Sequence, residues 1–219
     1  MLLLFDIDGT LLLKASAAHA AAVREALREV YGVAELPATR VEAAGRTDVE
    51  IARNLCLLSG VSAERFDAGR DDFRAACVSA YARLCPDDLS AHVAPGMTEV
   101  LEALSARDDT RLAILTGNLE PVARLKLARA GLGRFFEPWS GGFGSDHEDR
   151  TELPAIARAR AGGYPRAKTV IIGDTPRDIA CARADGLRCV AVATGPFSAG
   201  ELAGADVVLD SAHDLLGVL

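Results

Sequence analysis

The chain has 219 residues, 50% of them hydrophobic, and a net charge of −7. That length and apolar content sustain a buried core of one or two domains, and the negative balance with only 5% aromatics excludes a binder of nucleic-acid backbones. Five cysteines (Cys56, Cys77, Cys85, Cys181, Cys189) without C-x-x-C spacing exclude a disulfide or zinc framework, and no apolar run approaches the roughly 20 residues of a membrane helix.

The N-terminus lacks a basic region, and Asp6 would interrupt a signal-peptide core, so a cytoplasmic protein without membrane or nucleic-acid partners is expected. The first element is "LLLFD" (2–6), a continuous apolar run of the kind that forms a parallel strand covered on both faces. It ends on Asp6 and Asp8, and a carboxylate beside an apolar core is costly unless something pairs with it. From 15 to 92 there is no strand signal. "SAAHAAAVREALREVYG" (16–32), "TDVEIARNLCLLSG" (47–60) and "SAERFDAGRDDFRAACVSAYARL" (62–84) read as helices, and "HVAPGM" (92–97) returns the chain to a helix through Ala106.

Buried-strand patterns then recur at "RLAILT" (111–116), "TVIIGD" (169–174) and "CVAVAT" (189–194), with a weaker "ADVVLD" (205–210). Helical patterns separate them, "PVARLKLARAGL" (121–132) and "RDIACARADG" (177–186), each with a glycine to close it. The basic stretch "RARAGGYPRAK" (158–168) reads as a solvated helix end. Strands alternating with helices indicate an α/β fold with a parallel sheet, built from 1–14 and 93–219 and interrupted by an all-helical insert at 15–92.

Three strand ends carry polar residues: Asp6 and Asp8, then Thr116 and Asn118, then Asp174 and Asp178. Ligands of open parallel sheets bind outside the carboxyl ends of the strands. Each aspartate alone has a simpler explanation as a strand end or helix cap, Asp178 above all, but the set does not. Clustered carboxylates repel unless a cation sits among them. Hard oxygen ligands suit Mg²⁺, and the lack of a His/Cys cluster disfavours zinc or copper. His19, His92, His147 and His213 are scattered and read as surface or interface residues. Thr116, Gly117 and the Asn118 amide lie where a helix begins, a place that offers N–H groups to an anion.

"DIDGTL", "ILTGN" and "IIGDTPRD", in that order, resemble the haloacid dehalogenase (HAD) superfamily of phosphohydrolases, and the insert resembles the helical cap of its phosphoglycolate-phosphatase-like branch. The resemblance implies a Rossmann-like core with Asp6 as nucleophile and Asp8 as general acid/base. It also implies Mg²⁺ held by Asp6, the Asp8 backbone carbonyl and Asp174, with Asp178 behind them. The implied function is a magnesium-dependent phosphatase of a small phosphorylated metabolite, monomeric or homodimeric, working through an aspartyl-phosphate. A phosphomutase shares that intermediate. A dehalogenase would need neither Asp8 nor Asp174, and a phospho-switch would need neither a leaving-group acid nor a lid.

Within the insert, "GRTDVEI" (45–51) resembles the loop that this branch turns toward its active site. Arg46 and Thr47 are candidates to touch the leaving group, while Thr47 also suits the N-cap of the next helix, with Asp48 and Glu50 favouring its N-terminus. The family places a lysine beside the transferred phosphoryl group, and no lysine lies between Lys126 and Lys168. Arg150, after "GGFGSDHED", is the favoured replacement. Lys126 is the other candidate, in a helical pattern whose basic residues suit a solvated face.

Overall fold

Among the described residues, six strands form one parallel sheet: β1 (Leu2–Phe5), β2 (Arg111–Thr116), β3 (Gly141–Phe143), β4 (Thr169–Gly173), β5 (Arg188–Val192) and β6 (Val207–Leu209), in the order β3-β2-β1-β4-β5-β6. These positions come from a computed structural model that describes residues 1–35 and 41–219; residues 36–40 of the expected insert lie outside the described residues. β1 is central, with Phe5 opposite Ile114 on β2 and Ile172 on β4. Strand alternation sends Leu3 and Phe5 to one core and Leu2 and Leu4 to the other, so all four are buried. That two-sided burial is why the run carries no polar alternation.

β3 carries no strand signal in the sequence. Its sequence, Gly141-Gly142-Phe143, has two residues that disfavour strands. A Cβ at Gly141 would collide with the Ile114 carbonyl, and one at Gly142 would collide with the backbone of Leu153. The glycines therefore let an edge strand pack against β2 and the following helix.

Among the described residues, four helices follow β1: α1 (Ala17–Tyr31), α2 (Asp48–Leu58), α3 (Ala63–Ala68) and α4 (Arg70–Leu84). Tyr31 stacks on Phe66 with ring centroids 5.3 Å apart, and both join a hydrophobic core that continues to Phe5 of the sheet. The later helices are α5 (Met97–Ser105), α6 (Glu120–Arg129), α7 (Leu153–Arg160) and α8 (Pro176–Asp185). The two chain crossings beside the insert pair with each other: the Leu13 amide donates to the His92 carbonyl (2.7 Å) and the Ala94 amide to the Leu11 carbonyl (3.0 Å). All five cysteines are buried and unpaired, and among the described residues no helix is long and apolar enough to cross a membrane.

Candidate active site

The carboxyl ends of β1, β2 and β4 converge on a cleft of about 810 Å³. Asp6, Asp8, Thr116, Asn118, Arg150 and Asp174 line it on the sheet side, and Val23, Ile51, Leu55 and Arg46 line it from the insert. Beyond β1 the chain turns sharply at Gly9 (φ +96°), and a Cβ there would strike the Asp174 carboxylate. The second strand-end loop is pressed from above. Asp48 donates its amide to the Gly117 carbonyl (2.8 Å), and a Cβ at Gly117 would collide with the Arg46 carbonyl.

One side of the cleft is acidic. Carboxylate oxygens of Asp6, Asp174 and Asp178 lie within 4.8 Å of one another, all buried. Arg150, itself buried in the turn leading to α7, donates from Nη2 to Asp6 (2.9 Å) and Asp178 (2.6 Å). Asp178 also closes the N-terminal capping box of α8, accepting from the Thr175 amide (3.0 Å) and hydroxyl (2.7 Å). Asp178 thus caps a helix with one carboxylate oxygen and meets Arg150 within the acidic cluster with the other. Thr10 donates to one oxygen of Asp174 (3.1 Å), while the other, Oδ2, is buried with no hydrogen-bond partner.

Burial drives Asp6 up to about 7, with Asp178 and Asp8 adding repulsion against the pull of Arg150. Burial likewise drives Asp174 up to about 8, helped by Asp6 and Asp178 and opposed by the Thr10 hydrogen bond. Three carboxylates thus share one guanidinium. The orphaned Asp174 oxygen and the oxygen-only donor set fit a hard divalent cation such as Mg²⁺.

The other side is built on Lys126, and here the solvated-face expectation is corrected. Lys126 is fully buried, and its Nζ donates to Asp8 (2.8 Å) and to Asn118 Oδ1 (2.8 Å). The Asn118 amide in turn donates to Asp8 (3.0 Å). The signal for burial was in the sequence: Val122, Ala123, Lys126 and Leu127 fall on one stripe of α6, and all four are buried. Desolvation at the cleft floor pushes Asp8 up, but the Lys126 charge and the hydrogen bonds from Lys126 and Asn118 outweigh it and hold Asp8 below the usual carboxylate range.

Two further expectations are corrected. His19 is not a surface residue. It lies on the buried stripe of α1 with Ala22, Val23 and Ala26, and its Nε2 meets the buried Asp48 carboxylate at 3.0 Å. Thr47 does not face the cleft: its hydroxyl donates to the Glu148 carbonyl (2.7 Å) and accepts from the Glu50 amide (3.1 Å). It is the N-cap of α2 and a tie to the core, because both its hydrogen-bonding functions are spent there. Arg46 does line the cleft, with its guanidinium paired to Glu50.

A family model for haloacid dehalogenase-like hydrolases matches residues 3–183, so the chain belongs to that family of enzymes. Among its relatives, a protein named phosphoglycolate phosphatase from Neisseria meningitidis is 31% identical over 192 residues, spanning 87% of this chain and 79% of that protein. A haloacid dehalogenase-like family hydrolase from Streptococcus pneumoniae has the same fold, with a TM-score of 0.66 at 18% identity over 99% of this chain and 97% of that one. β-Phosphoglucomutase from Clostridium difficile is similar in fold to the same degree, with a TM-score of 0.69 at 15% identity over 97% and 92% of the two chains.

Proposed function

We propose that this protein is a magnesium-dependent phosphatase that hydrolyses a small phosphorylated metabolite through an aspartyl-phosphate on Asp6. The observation that carries this reading is the buried, cation-deficient Asp6–Asp174–Asp178 cluster, with an unpartnered Asp174 oxygen, whose Asp6 and Asp174 line an open cleft. Phosphoric monoester hydrolysis agrees with the family and with the relatives named phosphoglycolate phosphatase.

In this reading Asp8, whose side chain is partly open to the cleft, first takes up a proton from solvent against the pull of Lys126. An Asp6 oxygen then attacks phosphorus, the bond from phosphorus to the leaving oxygen breaks, and Asp8 gives that oxygen the proton. Asp8 then takes a proton from water. The water oxygen attacks phosphorus, the Asp6–phosphorus bond breaks, and inorganic phosphate leaves with Asp6 regenerated. Asp6 and Asp174, with the Asp8 carbonyl, would hold Mg²⁺, which when bound neutralises charge on the phosphoryl oxygens. Asp178 orients Arg150 and the start of α8 behind them.

Thr116, Gly117 and Asn118 receive the phosphoryl oxygens at the end of β2. Arg150 is the cation beside them, since it touches the nucleophile and its buried Nε has no acceptor. Residues 15–92 act as a cap domain on the 1–14 and 93–219 core, and Arg46 faces the leaving group. The test is product analysis over a panel of phosphorylated metabolites with Mg²⁺. Release of inorganic phosphate from one of them is expected; conversion of a sugar phosphate to its isomer with no phosphate released would overturn the reading in favour of a mutase.

A further inference from the structure

Resting on the reading of Asp8 as acid/base, we propose that Lys126 is its positioning residue, and that His19 and Asp48 of the helical insert complete the lysine's shell. The acid/base and the seated insert then form one unit.

A buried ammonium is tolerated only when its donors are satisfied, and lysine has three donors and no acceptor. Lys126 finds three acceptor groups: the Asp8 carboxylate, Asn118 Oδ1 and His19 Nδ1, the last at 3.4 Å. Because the ammonium can only donate, His19 Nδ1 accepts, and the ring hydrogen sits on Nε2, where it is given to Asp48. Asp48 is fixed in turn by the Leu119 amide at the start of α6 (2.8 Å). The chain of contacts runs from α2 through α1 into α6 and ends on the turn after β1. Tyr81 of α4 closes over it, its ring 5.9 Å from Lys126 Nζ and 5.5 Å from the His19 ring.

Asp8 needs this support. It stands beyond the end of β1 with 31% of its side chain exposed. Among the described residues its carboxylate is hydrogen-bonded only by Lys126 and Asn118. A proton-transfer group displaced by about 1 Å can lose on the order of 10²-fold in rate. Three helices of the insert enclose Lys126, so lifting them would admit water to the ammonium and loosen Asp8.

The test compares Lys126→Met, His19→Ala and Asp8→Asn on an alkyl phosphate and on p-nitrophenyl phosphate at saturating Mg²⁺, with thermal melts of each. Lys126→Met should lower kcat on the alkyl phosphate by on the order of 10²-fold, and clearly less on the aryl phosphate, whose leaving group needs little protonation. KM should stay within about threefold, the mark of an interaction that acts on the chemical step. Ethylamine should restore part of the lost rate in Lys126→Ala. His19→Ala should show the same selectivity in smaller measure, roughly tenfold, and it carries the test if Lys126→Met does not fold.

Unchanged kcat, or equal loss on both substrates without amine rescue, would overturn the proposal for Lys126. If Asp8→Asn itself loses equally on both substrates, the acid/base reading has failed instead. Selective loss in Asp8→Asn but not in Lys126→Met rejects the lysine's role alone.

Discussion

Asp6 and Asp8 are two residues apart, share one cleft, and are shifted in opposite directions. Desolvation raises both, so the difference lies in their partners. Asp8 has a lysine and an asparagine of its own, which hold it below the ordinary carboxylate range. Asp6 shares Arg150 with Asp178 and faces Asp174, and it rises to about 7. One half of the site is electrostatically complete within the protein; the other is short of positive charge by design of its sequence. The contrast supports placing the proposed cation on the Asp6–Asp174 side and not at Asp8's side chain.

Removing the proposed nucleophile should break the acidic half most completely. Asp6→Asn should cost on the order of 10⁴-fold or more in kcat. The same change removes a buried repulsion, so the metal-free variant should melt no lower than wild type at pH 8. Near-wild-type kcat in Asp6→Asn would place the nucleophile elsewhere. The two cations sharpen the contrast at the next level. Arg150→Ala should cost on the order of 10²-fold in kcat on alkyl and aryl phosphates alike, because it serves the phosphoryl side. If Lys126→Ala is crippled on both while Arg150→Ala is nearly normal, the roles are reversed.

The acidic half also sets a pH dependence. Asp6 and Asp174 are raised from 3.8 to about 7 and about 8, so between those limits the folded state holds more protons than the unfolded chain. Stability of the chelated protein should therefore fall as pH rises from about 4 to about 8. Mg²⁺ competes with those protons, so its stabilising shift in Tm should be larger at pH 8 than at pH 6. An equal shift at both values would disconnect the metal from this pair. Asp8 contributes with the opposite sign, and its stabilisation is lost only as pH falls below the usual carboxylate range.

The smallest effect belongs to Thr47→Ala, which removes a helix cap and the Glu148 tie. About 1 kcal/mol of stability should be lost, with kcat/KM on the preferred substrate changed by no more than about twofold. A tenfold fall in kcat/KM at unchanged Tm would return Thr47 to the substrate.

Much of this was legible in the chain itself. Continuous apolar runs mark β1, β2, β4 and β5, because strands buried on both faces leave no room for polar alternation, and a weaker run marks the half-buried edge strand β6. The strand-end residues Asp6, Thr116, Asp174 and Asp178 could be gathered in advance, since a parallel sheet brings its carboxyl ends to one edge. β3 was hidden because its glycines serve close approach between backbones, a tertiary requirement with no local signature. Lys126 and His19 depart from the sequence expectation for a related reason. Each sits on an apolar helical stripe, but its partners lie on other elements, and a side chain's charge alone suggests solvent. Position on the stripe was the better guide.

The most direct test of the cation-deficient half is turnover of p-nitrophenyl phosphate by enzyme stripped with EDTA and then titrated with Mg²⁺. Activity should vanish in the chelated enzyme and return with the added metal, and Asp174→Ala should fail to recover at the same Mg²⁺ concentration. Full activity in the chelated enzyme would contradict the assignment of Asp6 and Asp174 to a metal site.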